Sequence, residues 1–210
     1  MSNNMQQNRG VVSIRLASNG DSFVMPESMP QSCGVDDAPI RLEIVTKKAI
    51  LIPAEVLMGD DEGSVSPIDI AQEQLAIAGV VIGGDEQFIQ IGSDDIVALV
   101  VVPKLLMSEL MGRYQGNVDI ETPLLRRRVN GKKHMLVDSF EGITTVKVFS
   151  QNELMFADVY ETPSVASATY WLQTLASVMK MRDAALYIYR GDAALRRLLR
   201  PYFKQISVCE

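Results

Sequence analysis

The sequence has few of the residues that build metal centres, disulfide frameworks and catalytic triads. Its 210 residues include two cysteines, Cys33 and Cys209, and one histidine, His134. Two cysteines this far apart exclude a disulfide framework and a thiolate zinc site, and they suit a reducing cytoplasm. A single histidine leaves a triad or a His-rich metal site without further members, and no orienting partner for His134 as a general base is visible. We therefore expect neither a catalytic residue nor a metal site.

A basic overall charge and a long apolar run are also missing. The net charge is −6, which argues against a globally basic nucleic-acid binder. The longest apolar run, residues 96–107, is broken by Pro103 and Lys104 and is too short to span a membrane. Residues 1–10 are polar and lack an apolar signal core. We therefore expect a disordered tail there, on a cytoplasmic protein that makes no membrane contact.

The pattern of predicted elements repeats once along the chain. A hairpin opens each half, over residues 11–25 and 135–149, and residues 98–118 and 185–206 each read as strand, helix and short strand. The simplest interpretation is two copies of strand–strand–strand–helix–strand–helix–strand. This predicts an α/β fold of mixed sheets with flanking helices. The predicted subdomains are residues 11–122 and residues 123–210.

The best predicted helix covers residues 164–181. Apolar residues recur on one stripe of this segment at helical spacing. The stripe consists of Ala168, Trp171, Leu172, Leu175, Val178 and Met179. A tryptophan on such a stripe is far more often a core residue than a platform for a ligand. We therefore expect Trp171 to be buried and its truncation to be among the most damaging substitutions.

The densest cluster of charge surrounds Asn130-Gly131. This dipeptide is the strongest local signal for a two-residue hairpin turn, and a hairpin here brings five positive charges to one end. The charges are those of Arg126, Arg127, Arg128, Lys132 and Lys133. Two interpretations stay open: a contact for phosphate, nucleic acid or an acidic partner, or a solvated tip that keeps an edge strand from pairing. No aromatic residues interleave to stack on bases.

A second basic group lies in the last predicted helix, residues 193–202. Arg196, Arg197 and Arg200 fall toward its C-terminal end, where cations complement the helix dipole. This favourable interaction with the dipole is sufficient to explain the position of the three arginines. The alternative explanation is that they form an interaction face.

Three further segments are informative together with the order of the elements. They are residues 12–16 followed by Asn19-Gly20, residues 156–160 before the long helix, and residues 186–192. In these features the chain resembles the actin-like superfamily of sugar kinases, Hsp70, actin and pilus-assembly proteins. It also looks like an uncharacterised bacterial domain-of-unknown-function family with a decayed version of that fold. The resemblance implies two tandem ribonuclease-H-like halves around a nucleotide cleft, an actin-like ATPase fold.

The resemblance also implies where nucleotide-binding residues would stand. Active members of the superfamily carry an aspartate on the first strand and then a glycine. The matching stretch, residues 13–18, contains no acid, and Arg15 stands roughly at the place of the aspartate. On the adenine side, the usual glycine pair is reduced to Gly191 followed by Asp192.

The second phosphate loop departs from the family's pattern, Asp-x-Gly-Gly-Gly-Thr. The matching segment keeps Asp138, Gly142 and Thr144, but Phe140 and Glu141 replace two glycines. A phosphate loop works because bare backbone N–H groups can approach the oxygens closely. A phenyl ring obstructs that approach, and a glutamate adds negative charge. The resemblance therefore implies vestigial cofactor-binding residues and no bound cofactor. The vestigial residues are Asp138, Gly142, Thr144 and Gly191.

Three functions remain in view. The leading hypothesis is a non-catalytic cytoplasmic scaffold or adaptor that binds an unknown protein partner. The second is an atypical ATP-binding phosphotransferase or ATPase, which the missing acid of the first strand disfavours. The third is a nucleic-acid-associated accessory protein that uses the basic hairpin, for which steep salt dependence of binding would be the sign.

Overall fold

The computed structural model describes residues 13–19, 22–24, 40–58, 65–92, 95–127, 132–189 and 193–209, so the predicted tail at residues 1–10 lies outside it. The strands are β1 (Ser13–Asn19), β2 (Ser22–Val24), β3 (Ile40–Val45), β4 (Ala49–Pro53), β5 (Glu86–Gly92), β6 (Ile96–Pro103), β7 (Val118–Glu121), β8 (His134–Phe140), β9 (Ile143–Ser150), β10 (Glu153–Glu161), β11 (Ala185–Tyr189) and β12 (Gln205–Cys209). The helices are α1 (Ala54–Met58), α2 (Pro67–Ile77), α3 (Lys104–Arg113), α4 (Val165–Val178) and α5 (Ala193–Leu199). Within these residues, no helix has the length and apolar character that crossing a membrane requires.

The second half forms one five-stranded sheet in the order β10-β9-β8-β11-β12. β8, β9 and β10 make an antiparallel meander, and β11 and β12 run parallel to β8. Helix α4 follows β10, and α5 connects β11 to β12. The order of elements predicted for this half is therefore confirmed. A capping box formed by Ser164 and Ser167 starts α4, because each hydroxyl accepts a hydrogen bond from the other residue's backbone N–H.

The first half contains two sheets. One has the order β2-β1-β3-β7, with β1, β3 and β7 parallel. The other, β4-β6-β5, is antiparallel and comes from the chain between β3 and β7. The predicted pairing of the first two strands is confirmed within the described residues. The predicted match between residues 98–118 and 185–206 is half right: β7 takes the place of β12, but β3 rather than β6 lies beside β1.

Strand β6 is apolar along its length because both of its faces are buried. Ala98, Val100 and Val102 belong to the large core that includes β1 and β3. Leu99 and Val101 belong to a second core that includes α1 and α2. A strand buried on both faces has the same continuous apolar pattern in a parallel and in an antiparallel sheet. That is why β6 could be located from the sequence but not assigned to its sheet.

The hairpin predicted around Asn130-Gly131 has no first strand within the described residues. Residues 123–125 form a 3-10 turn capped by the Thr122 hydroxyl instead. β8 takes β9 and β11 as its neighbours. The predicted turn at Asn130-Gly131 lies outside the described residues.

Helix α4 buries a narrower stripe than the sequence predicts. Ala168, Leu172 and Ala176 are buried against the C-terminal sheet, whereas Trp171 is 41% exposed. Its ring stacks on that of Tyr160 with the centroids 4.9 Å apart. Because successive helical residues are about 100° apart, Trp171 lies beside the buried stripe and not on it. The predicted core position of Trp171 is wrong.

The two halves share a hydrophobic core. Ile14 and Ile44 from the first sheet lie in one cluster with Ile143 and Val159 from β9 and β10. The half-buried ring of Phe140 packs against the same cluster. This shared core fixes the facing ends of β1 and β8, and the charged residues between the halves are built on it.

Candidate functional site

Four charged side chains meet between the two halves. Arg15 lies on β1, Glu43 on β3 and Asp138 on β8, and Arg126 follows the 3-10 turn. The Nη2 atom of Arg15 and the Nη1 atom of Arg126 donate to the two carboxylate oxygens of Asp138. Arg126 also donates through Nη2 to Glu43, and the Nε atom of Arg15 lies 2.8 Å from the Glu43 carboxylate. We call these four residues the ion-pair cluster; its positive and negative charges alternate around a closed ring.

The strand register brings the ion-pair cluster together. Arg15 and Glu43 are direct partners in the parallel pairing of β1 with β3, so their side chains leave the sheet on the same face. The side chain of Asp138 is buried on β8 and comes from the other half of the chain. Arg15 and Asp138 lie 123 positions apart in the sequence, so this contact is a property of the tertiary fold.

Aromatic rings cover both arginines of the ion-pair cluster. The guanidinium carbon of Arg15 lies 4.4 Å from the ring centroid of Phe140, and that of Arg126 lies 4.7 Å from that of Tyr189. Such cation–π contacts attract each guanidinium group to the face of its ring. Arg15 and Phe140 come from opposite halves of the chain, so this contact also joins the two halves.

The ion-pair cluster is largely withdrawn from water. The side chains of Arg15, Glu43 and Asp138 are each less than a tenth exposed, and that of Arg126 is about a quarter exposed. Burial works against the charge of Arg126, but the carboxylates of Asp138 and Glu43 outweigh burial and raise the pKa of Arg126. Removing one partner of a buried ion pair costs about 3–5 kcal/mol because the other charge stays buried without compensation.

A buried lysine holds the chain segment that delivers Arg126. The ammonium of Lys147, on β9, donates to the backbone carbonyl oxygens of Pro123 (2.8 Å), Leu124 (3.0 Å) and Arg126. Burial, and then the nearby positive charge of Arg126, lower the pKa of Lys147 to about 7. Three carbonyl acceptors match the three protons of an ammonium group, so Lys147 ties the connection between the halves to the C-terminal sheet.

The predicted vestigial nucleotide residues are engaged by protein groups wherever they are described. Asp138 belongs to the ion-pair cluster. Gly142 follows Glu141 in the tight turn between β8 and β9, where both residues have positive φ, 47° for Glu141 and 76° for Gly142. The buried hydroxyl of Thr144 lies 2.7 Å from the hydroxyl of Thr162 and donates to that of Ser139. Gly191 lies outside the described residues.

The predicted interaction residues separate into two groups. Arg126 is a member of the ion-pair cluster and not part of a solvated hairpin tip, so that expectation is corrected. Arg127, Lys132 and Lys133 are exposed, and Arg128 lies outside the described residues. His134, next to Lys133, is buried and stacks on the ring of Phe149 with the centroids 4.9 Å apart. Of the four predicted interaction residues that are described, three are therefore exposed cations and the fourth, Arg126, is not.

Sequence reasoning missed Glu43 and Lys147. Each is the single charged residue among buried neighbours of a strand, in Leu42-Glu43-Ile44 and Val146-Lys147-Val148. A charged residue flanked on both sides by buried apolar residues is rarely buried without a partner. That signal identifies both residues as candidates for buried pairing, although it does not identify their partners.

A cavity of about 390 Å³ opens beside the ion-pair cluster. Its charged lining consists of two carboxylates, Glu43 and Glu121, and the guanidinium of Arg126. Glu43 and Arg126 pair with each other and Glu121 pairs with Arg41, so the lining carries two carboxylates and only one guanidinium, which already has its partners. Such a lining disfavours a phosphate group.

Comparison with solved structures identifies the fold. A protein of Bacteroides thetaiotaomicron with an actin-like ATPase fold and unknown function superposes with a TM-score of 0.64, at 11% identity, over 94% of this chain and 90% of that chain. Two looser superpositions add nothing to the assignment. The cytoplasmic domain of EpsL, an inner membrane component of the type II secretion system of Vibrio cholerae, superposes with a TM-score of 0.41 at 12% identity, over 94% of this chain and 84% of that chain. The PilM–PilN type IV pilus biogenesis complex superposes with a TM-score of 0.44 at 9% identity, over 80% of this chain and 69% of that chain. No protein-family model and no curated protein matches the sequence. The chain has an actin-like ATPase fold.

Proposed function

We propose that the protein is a non-catalytic scaffold or adaptor in which an ion-pair cluster has replaced the nucleotide site of the actin-like fold. The carrying observation is the contact between Arg15 and Phe140. By resemblance, these residues stand where active members have the first-strand aspartate and a phosphate-loop glycine. A cation and its aromatic cover therefore replace a metal-holding acid and a bare loop.

The contacts of the ion-pair cluster oppose phosphate binding. Both carboxylate oxygens of Asp138 already accept from arginines, and the hydroxyl of Thr144 is paired with other hydroxyls. A metal or phosphate would have to displace these partners, and breaking a buried ion pair costs about 3–5 kcal/mol. The same contacts join residues from both halves, so they support a fixed relation between the halves and not a cleft that opens and closes.

A scaffold acts through its surface, and the exposed side of α4 supports a protein contact. Residues 162–179 contain no Asp, Glu, Lys or Arg. Tyr170, Trp171 and Val178 are exposed there. The buried centres of protein interfaces are depleted in charged residues and enriched in aromatic ones. The composition of α4 therefore fits a protein partner better than a solvated helix.

Two finer assignments accompany this proposal. We infer a cytoplasmic location, because a chain with only two distant cysteines is suited to a reducing compartment. We also infer that the chain belongs to a bacterial domain-of-unknown-function family in which the actin-like nucleotide site has decayed, as Arg15 and Phe140 indicate.

Calorimetric titration with Mg²⁺–ATP tests the proposal. We expect no heat of binding up to roughly 1 mM nucleotide, where free energies near −4 kcal/mol are still visible. Inorganic triphosphate is the matched control, because it carries similar charge without the base and sugar. One-site micromolar binding of ATP without comparable binding of triphosphate would contradict the proposal and favour an atypical ATPase or phosphotransferase.

A further inference from the structure

Basic side chains gather around α5, on the part of the molecule built from the C-terminal sheet. Two cavities, of about 290 Å³ and 550 Å³, open there and share Arg200 as a lining residue. We call their cationic lining residues, together with the exposed Tyr202, the α5 basic surface. It consists of Arg182, Arg196, Arg197, Arg200, Tyr202 and Lys204.

The positive charge of the α5 basic surface is largely uncompensated. Lys204 pairs with Asp183, the only acid among the described residues that line either cavity. No carboxylate in the described part of the chain forms a salt bridge with Arg182, Arg196, Arg197 or Arg200. Four free guanidinium groups therefore share one surface of a chain whose net charge is −6.

The helix dipole does not account for this arrangement. Arg196 and Arg197 lie in the last turn of α5, and Arg200 is the first residue after it. The three arginines line one cavity, and like charges held this close repel one another. Arg182 and Lys204 belong to segments outside α5, so a preference for cations in the last turn of a helix does not explain their position. Ala193 and Ala194 line the smaller cavity, and their short side chains leave its space open beside the arginines.

An aromatic ring interleaves with these cations. Tyr202 is 40% exposed and lines the larger cavity with Arg182 and Arg200. Guanidinium groups bind phosphate through paired hydrogen bonds, and exposed aromatic rings stack on unpaired bases. Bases are available for stacking only where a strand is single, because those of a duplex are already stacked.

We propose that the α5 basic surface binds single-stranded nucleic acid, with the arginines on successive phosphates and Tyr202 against a base. The inference does not depend on the scaffold function, since none of these residues belongs to the ion-pair cluster. It also places the nucleic-acid contact at α5 and not at residues 126–133, where Arg126 is already engaged and no aromatic interleaves.

Fluorescence anisotropy with a labelled oligonucleotide of about 15 nucleotides, as oligo-U RNA and as oligo-dT, tests this proposal. We expect wild-type binding to weaken between about 50 and 200 mM salt, with a slope of log K against log salt near −2 if three phosphates are contacted. The variant Arg196→Gln/Arg197→Gln/Arg200→Gln should lose about tenfold or more in affinity. Tyr202→Ala should weaken binding, and Tyr202→Phe should retain it, because the stacking ring is kept.

The chain offers a charge-matched control in its other exposed basic segment. Arg127→Gln/Lys132→Gln/Lys133→Gln removes the same formal charge and should change affinity by less than about twofold, apart from the weak long-range effect of net charge. Arg197→Gln alone provides a milder variant if the triple α5 variant does not fold by circular dichroism. The proposal would be overturned if both triple variants lost affinity equally, or if the wild type did not bind at about 100 µM protein in low salt. Binding to phosphatidylglycerol vesicles without binding to either oligonucleotide would overturn it as well. Duplex DNA bound as tightly as the single strand would also overturn it.

Discussion

The two faces of the C-terminal sheet are held in different ways. One face presents Asp138 and Lys147, which bond to Arg15, Arg126 and the connection between the halves. The other face is apolar, with Val137 and Val148 under α4 and α5. Both faces are buried, but the first combines apolar packing, for example by Leu136 and Phe149, with specific polar partners, and the second is held by packing under α4 and α5. Substitutions on the two faces should therefore fail for different physical reasons.

Asp138→Ala should have the largest effect on the polar face. It leaves Arg15 and Arg126 buried beside a single carboxylate, and uncompensated buried charge typically costs about 3–5 kcal/mol. Urea denaturation followed by circular dichroism measures the change. Arg197→Ala is the matched control for losing an exposed charge and should change stability by less than about 0.5 kcal/mol. Equal effects of the two substitutions would show that the ion-pair cluster is not a buried network.

On the apolar face, Leu172→Ala should destabilise the protein more than Trp171→Ala, although tryptophan is the larger side chain. Leu172 is fully buried, and truncating a buried leucine costs about 2–5 kcal/mol. Trp171 is 41% exposed and keeps one stacked partner, Tyr160. Its truncation should cost less than that of Leu172, because much of the ring is already in water and the aromatic pair adds only about 1 kcal/mol to the effect of partial burial. A larger loss for Trp171 than for Leu172, in the same denaturation experiment, would contradict the stripe observed on α4.

The two faces were not equally predictable. Helical periodicity located α4, and the hairpin predicted over residues 135–149 located β8 and β9, because both signals depend on neighbours within a few residues. Trp171 was misplaced because periodicity gives the width of a buried stripe only approximately. Arg126 was misplaced because the Asn130-Gly131 signal is local, whereas the partners of Arg126 include Glu43, 83 positions away. Polar partners of this kind depend on the tertiary fold, so the sequence pattern alone does not reveal them.

The polar face should also respond to pH through Lys147. Its pKa is about 7 in the folded protein, against an ordinary value of 10.5. Between these values the unfolded chain binds a proton that the folded chain has released, so stability should rise with pH, by at most about 1.4 kcal/mol per pH unit. Below pH 7 both states hold the proton and this contribution to the slope vanishes.

Denaturation midpoints between pH 7 and pH 9 measure this rise. Lys147→Met should remove it, and the exposed Lys133→Met should keep it. An NMR titration that places the Lys147 ammonium near its ordinary pKa would contradict the expected pH dependence.

Substitution of the exposed arginines at the C-terminal end of α5 should have the smallest effect on stability. Neutralising Arg196, Arg197 and Arg200 relieves repulsion between Arg196 and Arg200, worth about 0.2–0.5 kcal/mol, and removes favourable dipole interactions of similar size. The two changes oppose each other, so the free energy of unfolding should stay within about 0.5 kcal/mol of wild type. Thermal and urea denaturation of the triple glutamine variant measure it. A loss of more than about 1 kcal/mol would mean that these arginines stabilise the fold. In that case the single variant Arg197→Gln would be used to separate an effect on oligonucleotide binding from an effect on folding. With stability unchanged, weakened binding reports on the surface directly.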